Sequence, residues 1–92
     1  MTPQTAQAVT VNDLIDRGNA ARREFSFLEA EQHYRDALLL AESALPRVEP
    51  PYSRAHLVVA EVLTKLGRLQ ESRGEVEASE ASYRRALAIF SQ

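Results

Sequence analysis

The chain has 92 residues, of which 45% are hydrophobic and 26% charged, and its net charge at pH 7 is −2. These proportions are typical of one small globular domain rather than a disordered chain, and the slightly acidic balance argues against a nucleic acid or an anionic membrane as partner. Cysteine is absent, which excludes disulfides and thiolate metal sites, and no apolar run reaches the roughly 20 residues that span a bilayer. We therefore expect a cytoplasmic chain.

The N-terminal half predicts a flexible arm followed by two helices. Residues 1–9 have neither the basic start nor the apolar stretch of a secretory signal, so we expect an unstructured arm. Thr10 and Asp13 have the spacing of a capping box, which predicts a first helix over about 11–23. A second helix is predicted over about 27–45, because its apolar residues recur at helical spacing.

Prolines and a glycine divide the C-terminal half. Pro46 and Pro50 predict a loop over 46–50, because proline removes a backbone donor and clashes inside a helix. Pro51 suits a first helical turn, so a third helix is predicted over about 51–72. Gly74 predicts the break before a fourth helix, over about 75–90. No segment alternates convincingly with period two, so the predicted fold is all-α.

Two stretches of the chain repeat one another. Gly18 and Gly67 are 49 residues apart, the difference of their numbers, and each is followed sixteen residues later by a tyrosine, Tyr34 or Tyr83. The runs that begin at these tyrosines are Tyr-Arg-Asp-Ala-Leu and Tyr-Arg-Arg-Ala-Leu. Such a recurrence predicts two copies of one antiparallel helical hairpin, with the tyrosines filling the space between the hairpins. The alternative is a generic four-helix bundle, in which small residues need not recur in phase.

These positions resemble the tetratricopeptide repeat. The first copy matches the family at Gly18, Ala30, Tyr34 and Ala37, and the second at Leu63, Gly67, Gly74, Tyr83 and Ala86. The repeat length of the family is about 34 residues, so the period here is about 15 residues longer. Long-helix variants such as those of kinesin light chains are similar in style. The resemblance implies a right-handed α-solenoid fragment over 10–92, with repeat one at about 11–45 and repeat two at about 51–90.

The resemblance also implies a concave groove between the first and third helices that binds a peptide or a partner helix. Arginine and asparagine on a rigid face suit an acidic or C-terminal segment. The alternative is that these side chains merely solvate amphipathic helices. By position, the groove residues are Asn12, Ile15, Asn19 and Arg22 of helix one, and Glu61, Lys65 and Arg68 of helix three.

Catalysis, metal binding and cofactor binding are not expected. The two histidines, His33 and His56, lack the converging ligands of a metal site and the nucleophile and orienting partner of a catalytic one. No phosphate loop or nucleophile elbow is present in the sequence. We therefore interpret the chain as a non-enzyme, with solvated or packed histidines.

The last helix is unusually apolar. Leu87, Ile89 and Phe90 leave few polar positions on its final turns, and such a patch is typical of an interface. These residues predict self-association, with a dimer favoured. The chain is thus interpreted as a non-catalytic scaffold module that presents a groove and self-associates. The alternatives are a purely structural oligomerisation domain, or a regulatory fragment of a larger signalling protein or enzyme.

Overall fold

A computed structural model describes residues 9–43, 45 and 54–91, and within these ranges the chain forms four α-helices and no strand. The all-helical prediction is confirmed. The helices are α1 (Val11–Arg23), α2 (Phe27–Ser43), α3 (Arg54–Ser72) and α4 (Val76–Phe90). Most of the predicted arm, the proline loop and the predicted first turn of helix three at 51–53 lie outside the described residues.

The first helix begins at the predicted capping box. The backbone N–H of Asp13 donates to the Thr10 hydroxyl at 3.0 Å, and the Thr10 N–H donates to the Asp13 carboxylate at 3.0 Å. These bonds satisfy two donors that a helix start otherwise leaves unpaired, and the bond from the Thr10 N–H to the carboxylate lowers the pKa of Asp13. The predicted range of α1 is confirmed, whereas α2 ends at Ser43, about two residues before the predicted end.

The turn between α1 and α2 is a Schellman motif. The N–H of Ser26 donates to the carbonyl of Ala21 at 2.9 Å, and the N–H of Phe25 donates to that of Arg22 at 3.0 Å. Phe25 has a φ of 62°, in the left-handed region that favours glycine. The turn therefore forms despite an unfavourable residue at its key position.

The turn between α3 and α4 has the same bonds 49 residues later. The N–H of Glu75 donates to the carbonyl of Gln70 at 2.8 Å, and the N–H of Gly74 donates to that of Glu71 at 3.0 Å. Here the left-handed position is a glycine, with a φ of 78°. Two turns of this length fold α1 against α2 and α3 against α4. We call α1 with α2 hairpin one, and α3 with α4 hairpin two.

Each tyrosine packs against the glycine of its own hairpin. A Cβ atom at Gly18 would lie 2.6 Å from Cδ1 of Tyr34, and one at Gly67 would lie 3.0 Å from Cδ1 of Tyr83. The distance at Gly18 is too short for a side chain unless the Tyr34 ring shifts, and the distance at Gly67 is tight, so glycine lets each ring pack closely on the helix opposite. The contact between tyrosine and glycine recurs within each hairpin, and the filling of the space between the hairpins by these rings stays a prediction.

Residues from all four helices form one hydrophobic core, in which α2 contacts α3 as well as α1. Burial of these apolar side chains supplies the main favourable contribution to folding. A buried polar pair lies within it, where the Ser82 hydroxyl donates to the Gln70 side-chain oxygen at 2.7 Å. The buried apolar residues are Leu14, Ile15, Ala21, Ala30, Tyr34, Ala37, Leu38, Ala41, Val59, Ala60, Val62, Leu63, Leu66, Leu69 and Ala86.

Candidate interaction surface

Helix α3 covers hairpin one with an apolar stripe. Val62 and Leu66 of this stripe are buried, whereas the residues 49 positions earlier on α1, Asp13 and Arg17, are exposed. No described hairpin precedes α1, so this difference identifies the side of α3 that packs on α2. The full stripe comprises Val59, Val62, Leu66 and Leu69.

Ion pairs hold the two hairpins together at both ends of α2. Near its start, the guanidinium of Arg73 donates to the carboxylate of Glu31, and both side chains are partly buried. Near its end, Arg85 of α4 donates to the Glu42 carboxylate at 2.5 Å. Partial burial strengthens the pair of Arg73 with Glu31 relative to a fully solvated pair, whereas the more exposed pair of Arg85 with Glu42 contributes less. The association of the hairpins therefore combines an apolar stripe with complementary charges.

The corresponding face of hairpin two has no cover among the described residues. Leu38 is 9% exposed beneath α3, whereas Leu87, which follows it by 49 residues, is 64% exposed. Phe90 is 49% exposed, although Ala41 at its equivalent position is buried. We call this surface the open face; it comprises Glu80, Tyr83, Leu87 and Phe90 of α4, with Glu61, Thr64, Lys65 and Arg68 of α3.

A cleft of about 300 Å³ lies within the open face, lined by Glu61, Thr64, Lys65, Arg68 and Phe90. It contains all the predicted groove residues of α3, and Phe90 from the predicted self-association surface. Two predictions made for separate functions therefore fall on one surface, where charged side chains border an exposed aromatic ring. Such a combination is suited to protein recognition.

The predicted groove residues of α1 do not join this cleft. Ile15 is 5% exposed and belongs to the core, so its prediction as a groove residue is wrong. Asn19 accepts a hydrogen bond from the Tyr34 hydroxyl at 2.5 Å, which gives it a structural role. Asn12 lines a separate cleft of about 300 Å³ between α1, α2 and α3, while Arg22 is exposed near the end of α1.

Only part of the predicted self-association surface is accessible. Leu87 and Phe90 are exposed, as predicted. Ile89 is half-buried and packs against the core, because it points to the other side of α4 from its neighbours. Ile89 therefore supports hairpin two from within and is not part of the open face.

The tyrosine hydroxyls differ between the hairpins. Burial raises the pKa of Tyr34, while the nearby Arg22 and Arg23 guanidinium groups oppose the shift. Burial also raises the pKa of Tyr83, and its hydroxyl donates to the Glu71 carboxylate at 3.1 Å, which adds to the shift. Both hydroxyls thus remain protonated at neutral pH and act as hydrogen-bond donors.

Glu80 is a charged residue of the open face that the sequence reasoning missed. Its equivalent 49 residues earlier is Glu31, which receives Arg73 from the next hairpin. Glu80 is exposed and forms no ion pair within the described part of the chain. The signal in the sequence is a glutamate one helical turn before each tyrosine: Glu31 before Tyr34, and Glu80 before Tyr83.

A second charged cleft, of about 580 Å³, lies beside the turn of hairpin two. Most of its charges are paired, since Glu31 pairs with both Arg35 and Arg73, and Arg73 also pairs with Glu75 at 3.2 Å, whereas Glu77 at its edge forms no ion pair among the described residues. Side chains that are already paired have little capacity left for a ligand. We therefore assign this cluster to the contact between the hairpins.

Neither metal-ligand groups nor membrane spans are found in residues 9–43, 45 and 54–91. In these ranges no three carboxylates or histidines converge as a metal site would require. None of the four described helices combines the length and apolarity needed to cross a bilayer.

Comparisons with known proteins return no match: no family model, no curated protein and no solved structure corresponds to the chain. The tetratricopeptide resemblance therefore stays a prediction. The assignment of the open face depends on the geometry described above and on the recurrence within the chain itself.

Proposed function

We propose that this chain is a non-catalytic interaction module that binds a helix of a protein partner on its open face. One observation carries the proposal: Leu38 is buried in hairpin one, whereas Leu87, at the equivalent position of hairpin two, is exposed. Because a helix covers this position in hairpin one, we expect a helix to cover the equivalent position in hairpin two. The tetratricopeptide-like architecture is part of this proposal, and it accounts for the recurrence of the turns and of the glycine–tyrosine contacts.

The energetics of the open face support binding. Each apolar side chain that a partner covers contributes about 25 cal/mol per Å² of area removed from water. Leu87 and Phe90 are the anchors, while Lys65 and Arg68 border the cleft and provide donors for a partner's polar groups. Such an arrangement, with apolar anchors and a polar rim, is typical of specific interfaces.

The second candidate function is self-association into a dimer through the same face. The exposure of Leu87 and Phe90 in a chain of this size favours it, because two copies could shield these side chains from water. In that case the module is a structural oligomerisation domain, and the charged residues of the cleft bind no third protein.

Site-specific photo-cross-linking tests the proposal. A photoreactive amino acid replaces Leu87 in one variant and Leu39 of α2 in a matched control, because these leucines are similarly exposed, at 64% and 66%. In the native cells, we expect protein adducts from position 87 and far fewer from position 39. Adducts of position 87 with the chain itself alone would support the dimer, and equal labelling at both positions would overturn the proposal.

A further inference from the structure

We infer that the partner element is an amphipathic helix that lies on the open face as α3 lies on hairpin one, with a basic side chain that meets Glu80. This inference depends on the proposed function and specifies its partner. Its basis is that the chain contains an example of the interface, formed between α2 and α3.

The internal example has three components. Leu38 and Ala41 of α2 are buried, and the apolar stripe of α3 packs on this side of hairpin one. At the turn end of the contact, Arg73 pairs with Glu31. The helix that covers this surface of hairpin one therefore has an apolar stripe, and a basic residue follows the stripe on the same side.

The open face has the same pattern of residues as the side of α2 on which α3 packs. Glu80, Tyr83, Leu87 and Phe90 follow Glu31, Tyr34, Leu38 and Ala41 by 49 residues each. They recur at intervals of three and four, so they share one side of α4. The acidic residue again lies at the turn end of the stripe, where it is exposed and attracts a basic partner. Phe90 is larger than Ala41, so a small residue is expected opposite it.

A second copy stacked end to end does not match the apolar and acidic residues of the open face. In such a stack α1 would occupy the place of the partner helix. It carries Asp13 and Arg17 where α3 has the buried Val62 and Leu66. Glu24 follows α1 where Arg73 follows α3, so a carboxylate would approach Glu80. Polar residues against an apolar surface and like charges at its edge both disfavour the stack.

A two-fold pairing of α4 with α4 of a second copy leaves Glu80 poorly matched. In an antiparallel pair, Glu80 of one copy faces the C-terminal part of the other α4. In a pair centred on the stripe, Glu80 lies opposite the last turn, which has no basic residue because Arg84 and Arg85 come earlier in α4. The carbonyl end of a helix also carries partial negative charge. A distinct helix that supplies a lysine or arginine at this place suits the face better.

The chain provides a probe for this inference. A synthetic peptide of residues 54–73 carries the apolar stripe and Arg73, and a lactam bridge between Glu61 and Lys65 holds it helical. Glu61 is exposed and Lys65 is only partly buried, so the bridge lies away from the apolar stripe. Leu63→Lys makes the side that packs on α4 polar, which prevents the peptide from aggregating.

Fluorescence anisotropy of the labelled peptide with the full chain measures binding. We expect micromolar affinity, which Glu80→Gln weakens about fivefold to tenfold and the matched Glu77→Gln leaves unchanged. Leu87→Lys should abolish binding, whereas Leu39→Lys should not. A peptide with Arg73→Glu should bind the Glu80→Arg chain better than it binds the unmodified chain. Thermal melting of each variant verifies that the fold is intact.

Three results would overturn the inference. One is binding that responds to Glu31→Gln but not to Glu80→Gln, because the peptide would then be replacing α3 on hairpin one. Another is a dimer, seen by sedimentation, that Leu87→Lys dissociates, because a second copy would occupy the face. The third is no peptide binding. Protein adducts at position 87 without peptide binding would retain the proposed function and reject the helix specified here.

Discussion

The two hairpins share their local structure and differ in their surroundings. Both have a glycine against a tyrosine ring and the same pair of backbone bonds in their turns. Yet Tyr34 is buried and Tyr83 is only half-buried, and the leucines that follow them differ from 9% to 64% exposed. The difference arises because α3 packs on hairpin one, whereas no described helix packs on hairpin two. Local sequence therefore determines the geometry of each hairpin. The helix that packs on a hairpin determines how deeply its side chains are buried, and so how much they contribute to stability.

The largest expected effect is at the buried tyrosine. Tyr34→Ala should lower the free energy of unfolding by about 3–5 kcal/mol, because it removes a fully buried ring and leaves a cavity. Tyr83→Ala should cost clearly less, since its ring is partly solvated. Urea unfolding followed by far-UV circular dichroism measures both. Equal losses for the two variants would mean that α3 contributes nothing to the environment of Tyr34.

The leucine pair gives the sharpest contrast. Leu38→Ala should lower the free energy of unfolding by about 2–3 kcal/mol, whereas Leu87→Ala should change it by less than about 0.5 kcal/mol. The same urea titration compares them directly, because both are leucines on equivalent turns of α2 and α4. A large loss for Leu87→Ala would indicate that the open face is covered in solution.

The glycine pair tests the contact within each hairpin. Gly18→Ala should destabilise the chain by about 1–3 kcal/mol, although alanine favours helices, because the new methyl group overlaps the buried Tyr34 ring. Gly67→Ala should cost less, since Tyr83 has room to move outward. Thermal unfolding ranks the two variants. If Gly18→Ala were stabilising, the close approach of ring and helix would be refuted.

The smallest effect is expected at the turns. Phe25→Gly should raise the free energy of unfolding by about 0.5–1 kcal/mol, because Phe25 has a positive φ that glycine adopts without strain. The gain is reduced by loss of the edge contact between the Phe25 and Phe27 rings. Gly74→Ala, the matched change in the other turn, should lower stability by about 1 kcal/mol. A loss of stability with Phe25→Gly would show that the ring contact outweighs the backbone strain.

Much of the fold followed from sequence because its signals are local. The capping box at Thr10, the break at Gly74 and the helical spacing of apolar residues each depend on neighbours a few positions away. The turn at Phe25 lacks the glycine that such a turn favours, and it was predicted from the helical patterns on either side of it. The last residue of α2 and the first residue of α4 differed from prediction by two residues and one residue, as is usual at helix termini.

The site was harder to predict because exposure depends on which helices meet. Ile15 has the spacing of a groove residue, but it is buried in the hydrophobic core. Ile89 and Phe90 are adjacent in an apolar run, and only the packing of α4 shows that one faces the core and the other faces water. Glu80 was missed because an exposed acid on a helix has no distinctive pattern until its equivalent, Glu31, is seen bound to Arg73.

By itself, the sequence determined four helices, their turns and the recurrence that relates the two hairpins, since hydrogen bonding and hydrophobic periodicity act over short distances along the chain. Only the tertiary structure decided which apolar side chains are covered. That outcome depends on α3 lying across α2, a contact between segments distant in sequence. The leucines at equivalent positions, Leu38 and Leu87, are therefore buried in hairpin one and exposed in hairpin two.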